Sequence, residues 1–123
     1  MKYPYDKKMK PPGLSVPVVI SDIKGHNSKR FDAEIDTGGG ISSIPADLVK
    51  SWDLIPFGSI DARGTFGPFK EMNIYIVRVK FENGRTFKAK MIENNRPLVI
   101  LGRNVLNQMI LNADGPGKIF TLE

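Results

Sequence analysis

The segment "NIYIVRVKFENGRTFKAKMI", residues 73–92, constrains the fold more than any other stretch. Ile74, Ile76, Val77, Val79 and Phe81 run up to Asn83-Gly84, and Phe87, Ala89 and Met91 come back. Asn-Gly tolerates positive φ at both central positions of a tight turn, so the flanking apolar patterns predict a β-hairpin. Two earlier segments show alternation with a period of two. Val16, Val18 and Ile20 alternate with Ser15, Pro17, Val19 and Ser21; Phe31, Ala33 and Ile35 alternate with Arg30, Asp32 and Glu34. They predict two strands joined through "KGHNSK".

Helical signals are short. "IPADLVKSWDL" puts Pro45 where a first helical residue is favoured, with Leu48, Val49 and Trp52 at helical spacing. "RPLVILGRNVLNQM" reads as an apolar strand leading through Gly102 into one or two helical turns. "ILNADGPGKIFTLE" reads as a hairpin around Asp114-Gly115-Pro116-Gly117. The expectation is one mainly β domain over residues 14–123 with one or two short helices. Residues 1–13, with four lysines, three prolines and a glycine, read as a flexible N-terminal arm.

A chain of 123 residues can build one core, burying about two-thirds of the surface its unfolded form exposes. No apolar run approaches the ~20 residues that span a bilayer, and no secretory signal is read at the amino end, so no membrane is expected and the expected compartment is the cytosol. The absence of cysteine excludes disulfides and thiolate ligands, and one histidine, His26, leaves no basis for a metal site. No metal and no cofactor are expected. The net charge of +5 is spread along the chain and suits solubility and weak attraction to polyanions.

Several chemistries lack their parts. There is no G-x-x-x-x-G-K-[ST] for a phosphate loop. Gly38 to Gly40 lie between a strand and a helix, yet Ser43 stands where G-x-G-x-x-G needs its last glycine. No G-x-S-x-G elbow occurs, and His26 sits in a polar loop, so serine chemistry has no base. Carboxylates are left. In "AEIDTGGGISSIP", Asp36 closes an alternating strand, and the glycines beside it let backbone N–H groups come close.

Asp36-Thr37-Gly38 at a strand end, "ISSIP" and a helix start after it, and "LVILGRNVL" some sixty residues on form one arrangement. In it the chain resembles the retropepsin-like aspartic proteases, over about Val16 to Leu122, as a bacterial or other cellular member. The resemblance implies a closed acid-protease β-barrel, a homodimer and aspartic endopeptidase activity on a peptide or protein in extended conformation. It assigns Asp36 as the catalytic carboxylate, Thr37 as a hydrogen-bonding group across the dimer, and Gly38 as the residue whose N–H reaches the carboxylate. Gly102 and Arg103 would support the loop, Arg103 through a buried or interface ion pair. "SIDARGTFGPFKEM", with Gly64, Thr65, Phe66 and Gly67, would be the flap over the substrate.

Retropepsins usually carry alanine or serine, then aspartate, serine or threonine, where this chain has Gly39 and Gly40. The aspartate of retroviral members at the Gly40 position helps hold the substrate backbone and pairs with the arginine matching Arg103, so here Arg103 must find another acceptor. Their two termini form the dimer seam; in this chain the lysine-rich start reads as ill suited, and "KIFTLE" as an interface strand.

Amide hydrolysis by carboxylates needs one ionised group to take a proton from water and one protonated group to polarise the carbonyl. Two carboxylates about 3 Å apart meet this by sharing one proton. The chain has one Asp-Thr-Gly, so catalysis requires a second copy and a site on a two-fold axis. Two other readings compete. One is a non-catalytic dimerisation or peptide-binding module; the other, less favoured, is a basic barrel stacking single-stranded nucleic acid on Phe66, Phe69 and Tyr75.

Overall fold

Alternation along the chain decides which side chains face inward. The computed structural model describes residues 1–63 and 67–123. In β2 (Ser15–Ser21), Val16, Val18 and Ile20 point into the core, and β3 (Ser28–Ile35) pairs with it antiparallel, placing Ala33 opposite Val16. At the turn between them the Asp22 carboxylate accepts from the His26 amide and the Asn27 side chain. Partial desolvation pushes Asp22 upward, but these hydrogen bonds and the nearby His26 outweigh it and hold the carboxyl below its ordinary value.

The chain continues through β4 (Ser42–Pro45), α1 (Ala46–Ser51) and β5 (Gly58–Ala62) to the long β6 (Lys70–Phe81). β7 (Thr86–Asn94) returns along it, and β8 (Ile100–Leu101) and α2 (Arg103–Leu106) follow. Six strands are hydrogen-bonded in the order β2-β3-β8-β4-β7-β6, and β2 pairs back onto β6 from Val18↔Phe81 to Ser21↔Arg78. The ring is a closed barrel, which leaves these strands no open edge. Val16, Ile20, Val77, Val79, Met91 and Leu101 fill it completely buried. Each contributes roughly 1.5–3 kcal/mol of apolar burial. β5 hangs outside the ring on β6 as the arm of a hairpin.

The β6–β7 hairpin stands where expected, but its turn differs. Gly84 has φ +88°, while Asn83 is not among the residues with positive φ. Phe81 and Arg85 remain bonded, so the loop has three residues, Glu82 to Gly84, with the Gly84 amide donating to the Phe81 carbonyl at 3.0 Å. One left-handed glycine closing a three-residue loop is the next commonest hairpin solution after the two-residue turn. The helix start also differs from the reading of Pro45 as its first residue: Ser42 to Pro45 form a wholly buried strand parallel to β7, and Pro45 precedes the first helical residue.

The first residues are not a free arm. β1 (Lys2–Pro4) pairs with β10 (Ile119–Leu122), which pairs on its other edge with β9 (Leu111–Asp114). Tyr3 is buried, with its ring 5.3 Å from that of Phe120, and the Tyr5 ring meets the same phenylalanine edge-on. Two aromatics among the lysines and prolines supply the apolar surface that docks the segment. β10, the strand within "KIFTLE", is therefore central in its own three-stranded sheet, and the free edges belong to β1 and β9. No helix among the described residues is long and apolar enough to cross a membrane.

Candidate active site

β3 and β4 are consecutive in sequence yet not neighbours in the sheet, because β8 lies between them. The loop joining them, Asp36 to Ile41, must cross over the end of β8. The Asp36 amide donates to the Leu101 carbonyl at 2.9 Å, and the Arg103 amide to the Gly39 carbonyl at 2.8 Å. The loop is thus stapled on both sides of Gly102. A Cβ at Gly102 would stand 2.8 Å from the backbone of Ile41 and 2.9 Å from the Gly39 carbonyl, a gap that only glycine fits.

Beneath the loop lies a polar chain. The buried Ser42 hydroxyl accepts from the Gly102 amide at 2.9 Å and donates to Asn104 Oδ1 at 2.7 Å. Asn104 also accepts from the Ser42 amide and donates to the Lys90 carbonyl, tying α2 to β4 and β7. No buried side-chain polar atom among the described residues lacks a partner. Asn104 ends the Gly-Arg-Asn segment read from the sequence, but with no role given to it, and Ser42 was not singled out. Serine beside a strand start is too common to signal anything without knowledge of what packs beneath it.

Asp36 is exposed at the crest of this support. Its Oδ1 accepts from the Gly38 amide at 3.0 Å and the Gly39 amide at 3.1 Å, which orients the carboxylate. Gly39 has no room for a fixed carboxylate and a side chain together, since a Cβ there would lie 2.9 Å from Asp36 Oδ2. The Thr37 side chain is exposed, and the Thr37 carbonyl accepts from Arg103 Nη1 at 3.0 Å. Within one copy Arg103 is exposed and makes this bond and no buried ion pair; the one ion pair among the described residues joins Arg96 and Glu34. Gly40 offers Arg103 no acid, and the Thr37 carbonyl is its acceptor.

Asp36, Gly39 and Gly40 line a cleft of about 470 Å³. Ile41, Ile92, Ile100 and Met72 give it apolar walls, and Ala62, Arg63, Pro68 and Lys70 come to it from the β5–β6 hairpin. The β5–β6 hairpin and the Asp36 loop thus border the same cleft. Gly64, Thr65 and Phe66 lie outside the described residues; Gly67 follows them at the start of the returning arm. Arg63 stacks on the exposed Phe69 ring at 4.8 Å. Tyr75 cannot serve as a stacking platform. It is 4% exposed, and its hydroxyl donates to Glu93 at 2.8 Å. Burial, and then that carboxylate, push its pKa above the ordinary tyrosine value. Among the described residues no cluster of three or more metal-ligating side chains occurs.

No protein-family model matches the sequence. No curated protein matches it either. Solved structures do. The chain resembles the simian foamy virus (mac) protease with a TM-score of 0.58 and 19% identity, over 76% of this chain and 92% of that one. It resembles the EIAV protease complexed with the inhibitor HBY-793 with a TM-score of 0.54 and 22% identity, over 78% and 86%. A foamy viral protease-reverse transcriptase in complex with an RNA/DNA hybrid aligns at TM-score 0.59 and 23% identity, over 78% of this chain and 12% of that polypeptide. The fold is thus the retropepsin-like β-barrel. The chain spans about an eighth of the length of that protease-reverse transcriptase.

Proposed function

We propose that this chain is an aspartic endopeptidase whose catalytic pair is Asp36 from each of two copies. The observation that carries the reading is the Asp36 carboxylate, held by two glycine amides, exposed, and set in a cleft beneath a hairpin. A single carboxylate cannot be proton acceptor and donor at once, and Asp36 is the one acid lining this cleft among the described residues. A two-fold partner would supply the second.

With the two carboxylates sharing a proton, the ionised one takes a proton from water as the water oxygen bonds to the peptide carbonyl carbon. The protonated one donates to the carbonyl oxygen. Transfer of a proton to the amide nitrogen then breaks the C–N bond, releasing a carboxylate and an amine. An extended substrate would run between hairpin and floor, hydrogen-bonded through its main chain. The cytosol is the compartment proposed with this reading.

The test is cleavage of a mixed peptide library across about pH 4 to 7, because activity requires the pair to hold one shared proton. Wild-type protein should cleave, as a dimer by analytical ultracentrifugation, and Asp36→Asn should not. Equal cleavage by the two proteins rules the reading out. Peptide binding without cleavage by either would assign the cleft to a binding module.

A further inference from the structure

This inference rests on the reading of the cleft as a peptide site and concerns which peptides it takes. The cleft is electrostatically one-sided. On the β5–β6 hairpin, Ala62 pairs with Lys70 and Asp61 with Glu71. Because opposite residues share a face and successive ones alternate, Lys70 and Met72 line the cleft and Asp61 and Glu71 stand on the other side. The hairpin turns its base inward and its acids outward. Arg63 lines the same cavity.

A third cation, Arg103, lies beside Gly40. Arg103 Nη2 is 3.6 Å from where a Cβ on Gly40 would stand, and Gly40 is part of the cleft lining. Nη1 is engaged by the Thr37 carbonyl. Among the described residues no carboxylate lies within salt-bridge distance of Arg63, Lys70 or Arg103. Among the described residues, then, Arg63 and Lys70 line the cavity without anionic partners and Arg103 stands next to it behind Gly40; Ile41, Met72, Ile92 and Ile100 give it apolar walls, Ser43 adds a hydroxyl, and its one acid is Asp36.

We infer that the cleft selects peptides bearing Asp or Glu side chains beside an apolar scissile pair. Met72, Ile41 and Ile92 receive the apolar residues, while Lys70, Arg63 and Arg103 meet the acids on either side. In an extended chain alternate side chains point the same way, so one bound strand can satisfy both demands. Two-fold symmetry would place the same cations at both ends of the complete cleft. The acidic preference is then expected on both the amino and the carboxyl side of the bond.

The experiment uses peptides with one common apolar centre and flanks of Glu, Gln or Lys. kcat/KM is measured with the wild-type dimer, and Kd by fluorescence anisotropy with Asp36→Asn. Glu flanks should exceed Lys flanks roughly tenfold in both, a few partly exposed ion pairs' worth, and the gap should close near ~1 M salt. Lys70→Glu should reverse the order, and Lys70→Gln should flatten it. Equal use of Glu and Lys flanks, or an order unmoved by Lys70→Glu, overturns the inference. So does equally tight binding of a single-stranded oligonucleotide of matching charge, which would mean that charge alone is read. Charge-ordered binding without any cleavage removes the protease and leaves the selectivity; cleavage without charge order does the reverse.

Discussion

The Gly102 amide donates to the Ser42 hydroxyl at 2.9 Å, joining residues 60 positions apart at the point where β8 passes beneath the Asp36 loop. This bond is buried, and the hydroxyl completes its own bonding through Asn104. The loop carrying the carboxylate therefore sits on a satisfied polar chain.

Ser42→Ala should leave the Gly102 N–H without an acceptor in a dry place. The expected loss is about 1–3 kcal/mol, seen as a lower midpoint in urea unfolding with an unchanged slope. Ser43→Ala removes only a hydroxyl that accepts from Asn94 and lines the cleft, so it should cost less than Ser42→Ala in the same assay.

Gly102→Ala sets a methyl against three backbone atoms of Gly39 and Ile41, both in the Asp36 loop. The Asp36 loop must lift. Misplacing a reacting group by 1 Å costs ~100-fold, so kcat should fall by at least about that factor, with a stability loss of roughly 1–3 kcal/mol. Activity against a good peptide and thermal unfolding, measured on one preparation, test both parts.

Gly40→Asp meets only ordinary contact at Arg103 Nη2 and can pair with it. A stabilisation of up to ~1 kcal/mol is expected, screened by salt. The same change should weaken the acceptance of acidic flanks in the peptide series, because one cation of the cleft has gained an internal partner. Unchanged flank preference would remove Arg103 from the specificity set.

Tyr75 holds its proton more tightly folded than unfolded, through burial and then through Glu93. Its contribution to stability is therefore full below the ordinary tyrosine value near about 10 and is lost as pH rises through the raised one. Wild-type protein should show this alkaline decline in urea midpoints. Tyr75→Phe should lose about 1 kcal/mol at neutral pH and show a smaller decline, lacking the share of Tyr75 while that of Tyr3 remains.

The hairpins and the site's first residues were legible because they are local. Alternation over Val16 to Ile20 and the Gly84 turn set faces without reference to the rest of the chain, and Asp36-Thr37-Gly38 is a pattern of adjacent residues. What escaped lies across long separations. Ser42 gains its place only when β8 threads between β3 and β4, and Arg103 finds the Thr37 carbonyl only after Gly40 offers no acid. Tyr3 and Tyr5 looked like parts of a basic arm until Phe120 came to meet them.

The sequence by itself determined a mainly β chain with Asp36 just before three consecutive glycines, since side-chain periodicity and backbone freedom are properties of neighbouring residues. The closing of β2 onto β6, the docking of β1 on β10 and the inward turn of Lys70 against the outward turn of Glu71 were decided only by the tertiary structure. Each depends on which strand lies beside which. That choice follows from burying every apolar face and satisfying every buried backbone group at once, a condition no single segment contains.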